Sequence, residues 1–254
     1  MKKAFVISYC GTDFHGWQRQ ENAATVQAAI EDSIEELCGK KTYVSGCGRT
    51  DAGVHARYYV ASAQLDTNIP DERLPAAINA RLPGSVVVHK AVTVDDEFDA
   101  RFSCVKKQYT YVIHNSRTRN PFLTDRAYFF PQALDIDRMS RACSYIEGTH
   151  DFAAFKSEGT PVKSTVRTVF ECSAEKRGDM IYIRACADGF LYNMVRTIAG
   201  TLIYAGLCKI EPEDIKTILE NGAREAAGPC APACGLYMTK LFYGMEALDG
   251  GADF

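Results

Sequence analysis

Two β-rich runs, Thr165 to Ala174 and Met180 to Ala187, are separated by only a turn-length segment, too short for the crossover that parallel strands require. Such a short connection favours antiparallel pairing, which directs the chain to an α+β class and away from a doubly wound parallel sheet. Further strands are expected at Lys2 to Tyr9, Thr42 to Gly46, Tyr58 to Leu65, Ser85 to Val94, Gln108 to Ile113 and Gly235 to Tyr243. Val26, Ile30, Ile34 and Leu37 repeat at helical spacing within Thr25 to Cys38. Other helices are expected over Asp71 to Arg81 and Asp135 to Glu147, and from Phe190 and Pro212. The 254 residues suit one large domain or two small ones at roughly 150 residues each. Asp95-Asp96-Glu97 marks a boundary or hinge, with β and α elements in similar order on either side and no clear internal repeat.

A composition of 46% hydrophobic and 24% charged residues is that of a globular chain, not a disordered one. The longest charge-free apolar stretch, Thr197 to Cys208, falls short of the roughly 18 residues of a membrane span. Met1-Lys2-Lys3 and the apolar run after it imitate a signal peptide. The run stops at Gly11-Thr12-Asp13 without a cleavage site, so a first strand and a cytoplasmic protein are expected. Ten cysteines without framework spacing then read as reduced thiols. Cys230 and Cys234 could be half a zinc site, but no second pair completes it, and no metal is expected. The net charge of −3 argues against a surface that grips nucleic acid everywhere. Charge is nonetheless segregated: Arg101, Lys106, Lys107, Arg117, Arg119 and Arg126 face Asp125 alone, while Glu31, Asp32, Glu35 and Glu36 make an acidic helix.

The densest polar cluster is Gly46-Cys47-Gly48-Arg49-Thr50-Asp51-Ala52-Gly53-Val54-His55-Ala56, between two expected strands where glycines let backbone approach a ligand. It has neither phosphate-loop nor dinucleotide spacing, no Ser-His nucleophile pair, and too few ligands for a metal. Read alone, Asp51 is a turn former or a functional acid, and His55 a structural or a functional histidine. The second cluster is the apolar segment from Phe190 to Ile203, with Phe190, Met194, Ile198 and Thr201 on one helical face and Arg196 opposite. A guanidinium on such a helix either snorkels to water or is buried against a carboxylate, for which Asp51 is the natural candidate.

These residues resemble a known family. Gly48 to Ala56 is similar to the catalytic motif of the bacterial tRNA pseudouridine synthase A (TruA) family. Gly16-Trp17-Gln18-Arg19-Gln20, Ala100-Arg101-Phe102-Ser103, Tyr109-Thr110-Tyr111, Thr149-His150-Asp151-Phe152, Phe190 to Arg196 and Ala231 to Leu236 match in order and spacing. The resemblance implies two ferredoxin-like α+β domains, placed here at 1–103 and 104–254, with largely antiparallel sheets joined side by side and an active-site cleft between them. It also implies a homodimer acting on tRNA, with no cofactor, that isomerises uridines 38, 39 and 40 of the anticodon stem-loop to pseudouridine.

By the same resemblance Asp51 is the catalytic carboxylate at the ribose side of the glycosidic bond. Arg196 would keep it ionised against desolvation. Tyr109 would stack on uracil or carry a proton at C5, although unaided it reads as a sheet-packing aromatic. Arg49 would fill the space left by a flipped base, and Arg19, Arg101, Lys106 and Lys107 are expected on RNA, the last three within a segment that tracks phosphates. Competing expectations are a non-catalytic tRNA-binding or folding module and a nucleoside hydrolase. Two departures from the family pattern, Arg57-Tyr58-Tyr59 and Asp99 in place of a common His, bear on RNA contacts and not on the reaction.

Overall fold

A computed structural model describes residues 1–159 and 162–254, which divide into two compact units. The first comprises Met1–Val105 with Tyr237–Phe254, and the second Lys106–Leu236. The expected boundary after residue 103 lies close to the first division, whereas the last strand, expected in the second half, belongs with the first unit. The reason is pairing and burial: that strand lies beside residues 55–56, and the Tyr243 hydroxyl donates to the Ala100 carbonyl at 2.8 Å.

The first unit runs β1 (Lys2–Tyr9), α1 (Val26–Cys38), β2 (Val44–Gly46), β3 (His55–Gln64), α2 (Leu74–Asn79) and β4 (Val86–Thr93). The second runs β5 (Lys106–His114), β6 (Tyr128–Phe129), α3 (Ile136–Ile146), β7 (Gly148–Asp151), β8 (Val166–Arg177), β9 (Met180–Ala187), α4 (Met194–Gly206) and α5 (Asp214–Asn221). The chain closes with β10 (Leu236–Phe242) and β11 (Gly250–Gly251) in the first unit.

In the first unit β1 is flanked by antiparallel β4 and β3, with β2 antiparallel to β3 and β10 parallel to its beginning. Phe5, Ile7, Ile30, Ile34, Tyr59, Leu74 and Ile78 are fully buried and form its core. Thr25 caps α1 through its side chain, and Gly39 ends it in the left-handed conformation, as a helix stop requires. The second unit has the order β5-β9-β8-β7, all antiparallel, with β6 parallel to β5. The β8–β9 hairpin is the pairing expected from its short turn. The pKa of its half-buried Glu175 is lowered to about 2 by hydrogen bonds from Arg177 and Arg184. The mixed α+β architecture with mostly antiparallel strands is thus the expected class.

Among the boundaries that differ from expectation, two lie in the segments singled out by the motifs. Strand β3 begins at His55, three residues early, because its first residues pair with β10. Helix α4 begins at Met194, so Phe190 is not on its face; Asn193 at φ 61 breaks the chain direction immediately before it. The helix is otherwise apolar nearly all round, as expected, and Gly200 sits where a Cβ would come within 1.7 Å of the Pro229 carbonyl oxygen. The 228–231 segment can therefore lie directly on α4, where Gly228 N–H donates to Thr201 Oγ1 at 2.8 Å and Ala231 N–H to the Arg196 carbonyl at 3.1 Å. Gly200→Ala should destabilise the protein by about 1–3 kcal/mol through overpacking, read as a lower urea midpoint at unchanged m-value.

Candidate active site

Asp51 stands in the loop between β2 and β3, half-buried, in a turn closed by Val54 N–H on its own carbonyl at 3.1 Å. That loop rests on buried aromatics. Tyr59 is stacked on Trp17 with centroids 4.2 Å apart and donates its hydroxyl to the Gly48 carbonyl at 2.7 Å. Tyr9 meets Tyr59 edge-on and its hydroxyl is 2.8 Å from Thr50 Oγ1. The backbone before Arg49 and the side chain after it are therefore both gripped from below, while Arg49 itself is exposed.

The loop is also held from the side. Trp17 N–H donates to the Thr50 carbonyl at 3.0 Å and Gly53 N–H to the Phe14 carbonyl at 3.4 Å. Gly16, at φ +89, permits this approach: a Cβ there would lie 2.4 Å from the Thr50 oxygen. The Gly16-Trp17 motif is thus a brace for the Asp51 loop. His55 is structural, 1% exposed, accepting Gly11 N–H on Nδ1 at 3.0 Å and stacked on Tyr237 at 4.5 Å.

Tyr59 was expected to bear on RNA contacts only, and the structure corrects this. It is fully buried beneath the Asp51 loop. Of its neighbours, Arg57 covers the Phe254 ring at 4.5 Å and Tyr58 donates to the Leu248 carbonyl at 3.0 Å. Asp99 is a turn cap: one carboxylate oxygen accepts the amides of Arg101 and Phe102 at 2.8 and 3.1 Å, and the other accepts Ser45 Oγ at 3.0 Å. Arg19 ties the chain to α1, with Nε donating to Glu31 at 2.6 Å and Nη2 paired with Asp32. Its charge is met by the acidic helix, and the Asp32 hydrogen bond raises its pKa further.

In the second unit Tyr109 lies on β5 opposite Ala185, 8% exposed, edge-on to Phe190 with centroids 5.2 Å apart. Tyr111 shares its face two residues on and donates to the Pro232 carbonyl at 2.7 Å. Burial pushes the Tyr111 phenol far up, so it stays a donor at any physiological pH. Arg196, half-buried in the first turn of α4, donates Nε to the preceding carbonyl, Ala231, at 2.7 Å and Nη1 to Asn193 Oδ1 at 2.8 Å. Asn193 in turn donates to Ser157 Oγ at 3.0 Å. Lys106 covers the half-exposed Phe170 ring at 4.8 Å, and Lys107 is paired in register with Ala187. The Cys230 and Cys234 thiols each lie 3.9 Å from a carbonyl oxygen, of Ala231 and Ala127 respectively, and burial raises the Cys234 pKa. Among the described residues no three His, Cys, Asp or Glu side chains are grouped to hold a metal.

A family model described as tRNA pseudouridine synthase matches residues 5–103 and 142–244. The chain belongs to the tRNA pseudouridine synthase family. It is 45% identical over 238 residues to tRNA pseudouridine synthase A of Thermoanaerobacter sp. (strain X514), covering 94% of this chain and 98% of that one. It is 43% identical over 238 residues to the protein of the same name from Acetivibrio thermocellus, with the same coverage. It is 44% identical over 239 residues to tRNA pseudouridine synthase A 2 of Clostridium tetani, covering 93% of this chain and 96% of that one.

Against this pseudouridine synthase frame, Tyr9, Tyr59, Tyr111 and Asn193 are the supporting residues that sequence reasoning missed. Tyr111 and Asn193 fell inside quoted motifs, whereas the buried hydroxyls of Tyr9 and Tyr59 left no local signal. Tyr59→Phe keeps the stack on Trp17 but leaves the Gly48 carbonyl without its donor; a loss of about 1 kcal/mol in chemical denaturation and a reduced kcat are expected. For Arg196, Asn193→Gly keeps the left-handed backbone and removes Oδ1. A fall in kcat at nearly unchanged KM, in an enzyme of wild-type thermal midpoint, is the expected steady-state result.

Proposed function

We propose that this chain isomerises uridine to pseudouridine in tRNA. The carrying observation is the 45% identity over 94% of the chain to a protein named for that activity. The rigidly braced Asp51 loop supports it, because a reacting carboxylate must be held in place before substrate arrives.

The reaction breaks the N1–C1′ glycosidic bond, rotates the uracil and forms a C5–C1′ bond; the C5 proton leaves and N1 regains one. Atoms and electrons balance within the substrate, so no redox partner is consumed. In this reading Asp51 acts as the ionised carboxylate at the ribose side. Tyr109 offers its ring to uracil and its hydroxyl to proton transfer at C5, and Arg196 supplies the positive charge that favours an ionised carboxylate. Arg49 enters the space of the flipped base. Arg101, Lys106 and Lys107 meet RNA phosphates, whereas Arg19, paired with Glu31 and Asp32, contributes chiefly to holding the fold. The finer proposal is action at positions 38, 39 and 40 of the anticodon stem-loop, by a cytoplasmic homodimer that shares one tRNA.

Tritium release from tRNA labelled at uridine C5 tests the reaction. Wild-type protein should release it with the nucleotide intact, and mapping should place the product in the anticodon arm. Asp51→Ala should fall to background, and Tyr109→Phe should slow release if the hydroxyl carries the proton. Free uracil as the product, or binding without release by wild type, would overturn the isomerase reading.

A further inference from the structure

The first unit carries a groove of about 640 Å³ that the Asp51 machinery does not use. Lys2, Lys40, Lys41, Tyr43, Asp66 and Asp99 line it. Lys40 and Lys41 are both exposed at the end of α1, and neither forms an ion pair among the described residues. Tyr43 is 75% exposed, an unusual place for an aromatic ring in the residues leading into a strand. Lys2 adds a third ammonium, held by the Asp96 carbonyl at 3.0 Å. Of the two carboxylates, Asp99 is occupied by the Arg101 and Phe102 amides and the Ser45 hydroxyl, so cations dominate what the groove offers a ligand.

Beside the groove, where the Phe102 amide donates to Asp99 Oδ1 at 3.1 Å, stands a second exposed aromatic. Phe102 is 80% exposed and the Arg101 guanidinium lies over its ring at 5.3 Å. The surface thus alternates cation and open ring: Lys40 and Lys41 with Tyr43, then Arg101 with Phe102. Lysines track a phosphate backbone, and open rings stack on unpaired bases of any sequence. An acidic peptide would use the ammonium groups but leave both rings facing water. Strand β2 leads from Tyr43 directly into the Asp51 loop, a path of about 10 Å along three residues of strand.

We propose that this groove binds a single-stranded segment of the RNA substrate, its phosphates on Lys40 and Lys41 and an unpaired base on Tyr43. The inference rests on the tRNA reading above and extends it to a surface outside the reacting residues. It makes the groove a determinant of substrate affinity and not of chemistry.

The test measures binding of an unmodified tRNA transcript across a salt series, and tritium release in parallel, for wild type, Tyr43→Ala, Tyr43→Phe and the double variant Lys40→Gln/Lys41→Gln. These are exposed positions, and unchanged thermal midpoints will confirm intact folding. Tyr43→Ala should weaken binding roughly 5- to 150-fold and Tyr43→Phe should restore it, since stacking needs the ring and not the hydroxyl. The double lysine variant should reduce the slope of log affinity against log salt by about 1.4, for two phosphates at roughly 0.7 each. For Tyr43→Ala and the double lysine variant KM should rise with kcat unchanged, and Tyr43→Phe should keep the wild-type KM. Wild-type affinity and slope in every variant would overturn the groove assignment while leaving isomerisation intact. Absence of tritium release from wild type would overturn the isomerase reading, and the same binding curves would still decide the groove.

Discussion

The 2.7 Å hydrogen bond from the Tyr59 hydroxyl to the Gly48 carbonyl joins the core of the first unit to the loop that carries Asp51. A glycine-rich loop between two strands has little intrinsic rigidity, since glycine permits many backbone conformations. Here the loop gains order from below through Tyr59 and Tyr9, and from the side through Trp17 N–H and the close approach of Gly16. The aromatic rings are buried by the hydrophobic effect, while their hydroxyls satisfy polar groups that would otherwise be stranded at the edge of the core. One stack of three rings therefore serves both packing and preorganisation.

The second unit solves the same problem around a cation. Arg196 emerges from an almost wholly apolar helix, where an unsatisfied guanidinium would be costly. Its Nε and the Tyr111 hydroxyl take consecutive carbonyls, Ala231 and Pro232, and Asn193 takes Nη1. Asn is suited to this place because it tolerates the left-handed backbone at φ 61 while presenting an acceptor to the first turn of the helix. The segment at 228–231 can reach these groups only because Gly200 and Gly228 remove the side chains that would hold it off α4.

Charge follows the same division between fold and ligand. Arg19 belongs to a motif beside the Asp51 loop, yet its guanidinium is spent on Glu31 and Asp32 of α1. Glu31 also accepts the Val44 amide at 3.0 Å, so this acidic helix ties down the strand that feeds the loop. Cations elsewhere are paired with rings: Lys106 with Phe170, Arg101 with Phe102 and Arg119 with Phe129. A chain of net charge −3 can thus present local basic and aromatic surfaces without being basic overall.

Periodicity and turn length determined the α+β class, the β8–β9 hairpin and the helix at 26–38, because those signals are local and repeat within a few residues. Motif chemistry and order determined the family and singled out Asp51, Tyr109 and Arg196 as the residues to examine. Tertiary structure decided what several of the residues around them hold. It placed Tyr59 under the loop and not on RNA, turned Asp99 into a cap, and neutralised Arg19. It also returned the last strand to the first unit and began α4 at Met194. The physical reason is distance along the chain: Tyr59 and Gly48, Arg19 and Asp32, Tyr111 and Pro232 are separated by 11, 13 and 121 residues. A hydrogen bond at that separation exists only once the backbone between the partners has folded, and no local pattern of residue types encodes it.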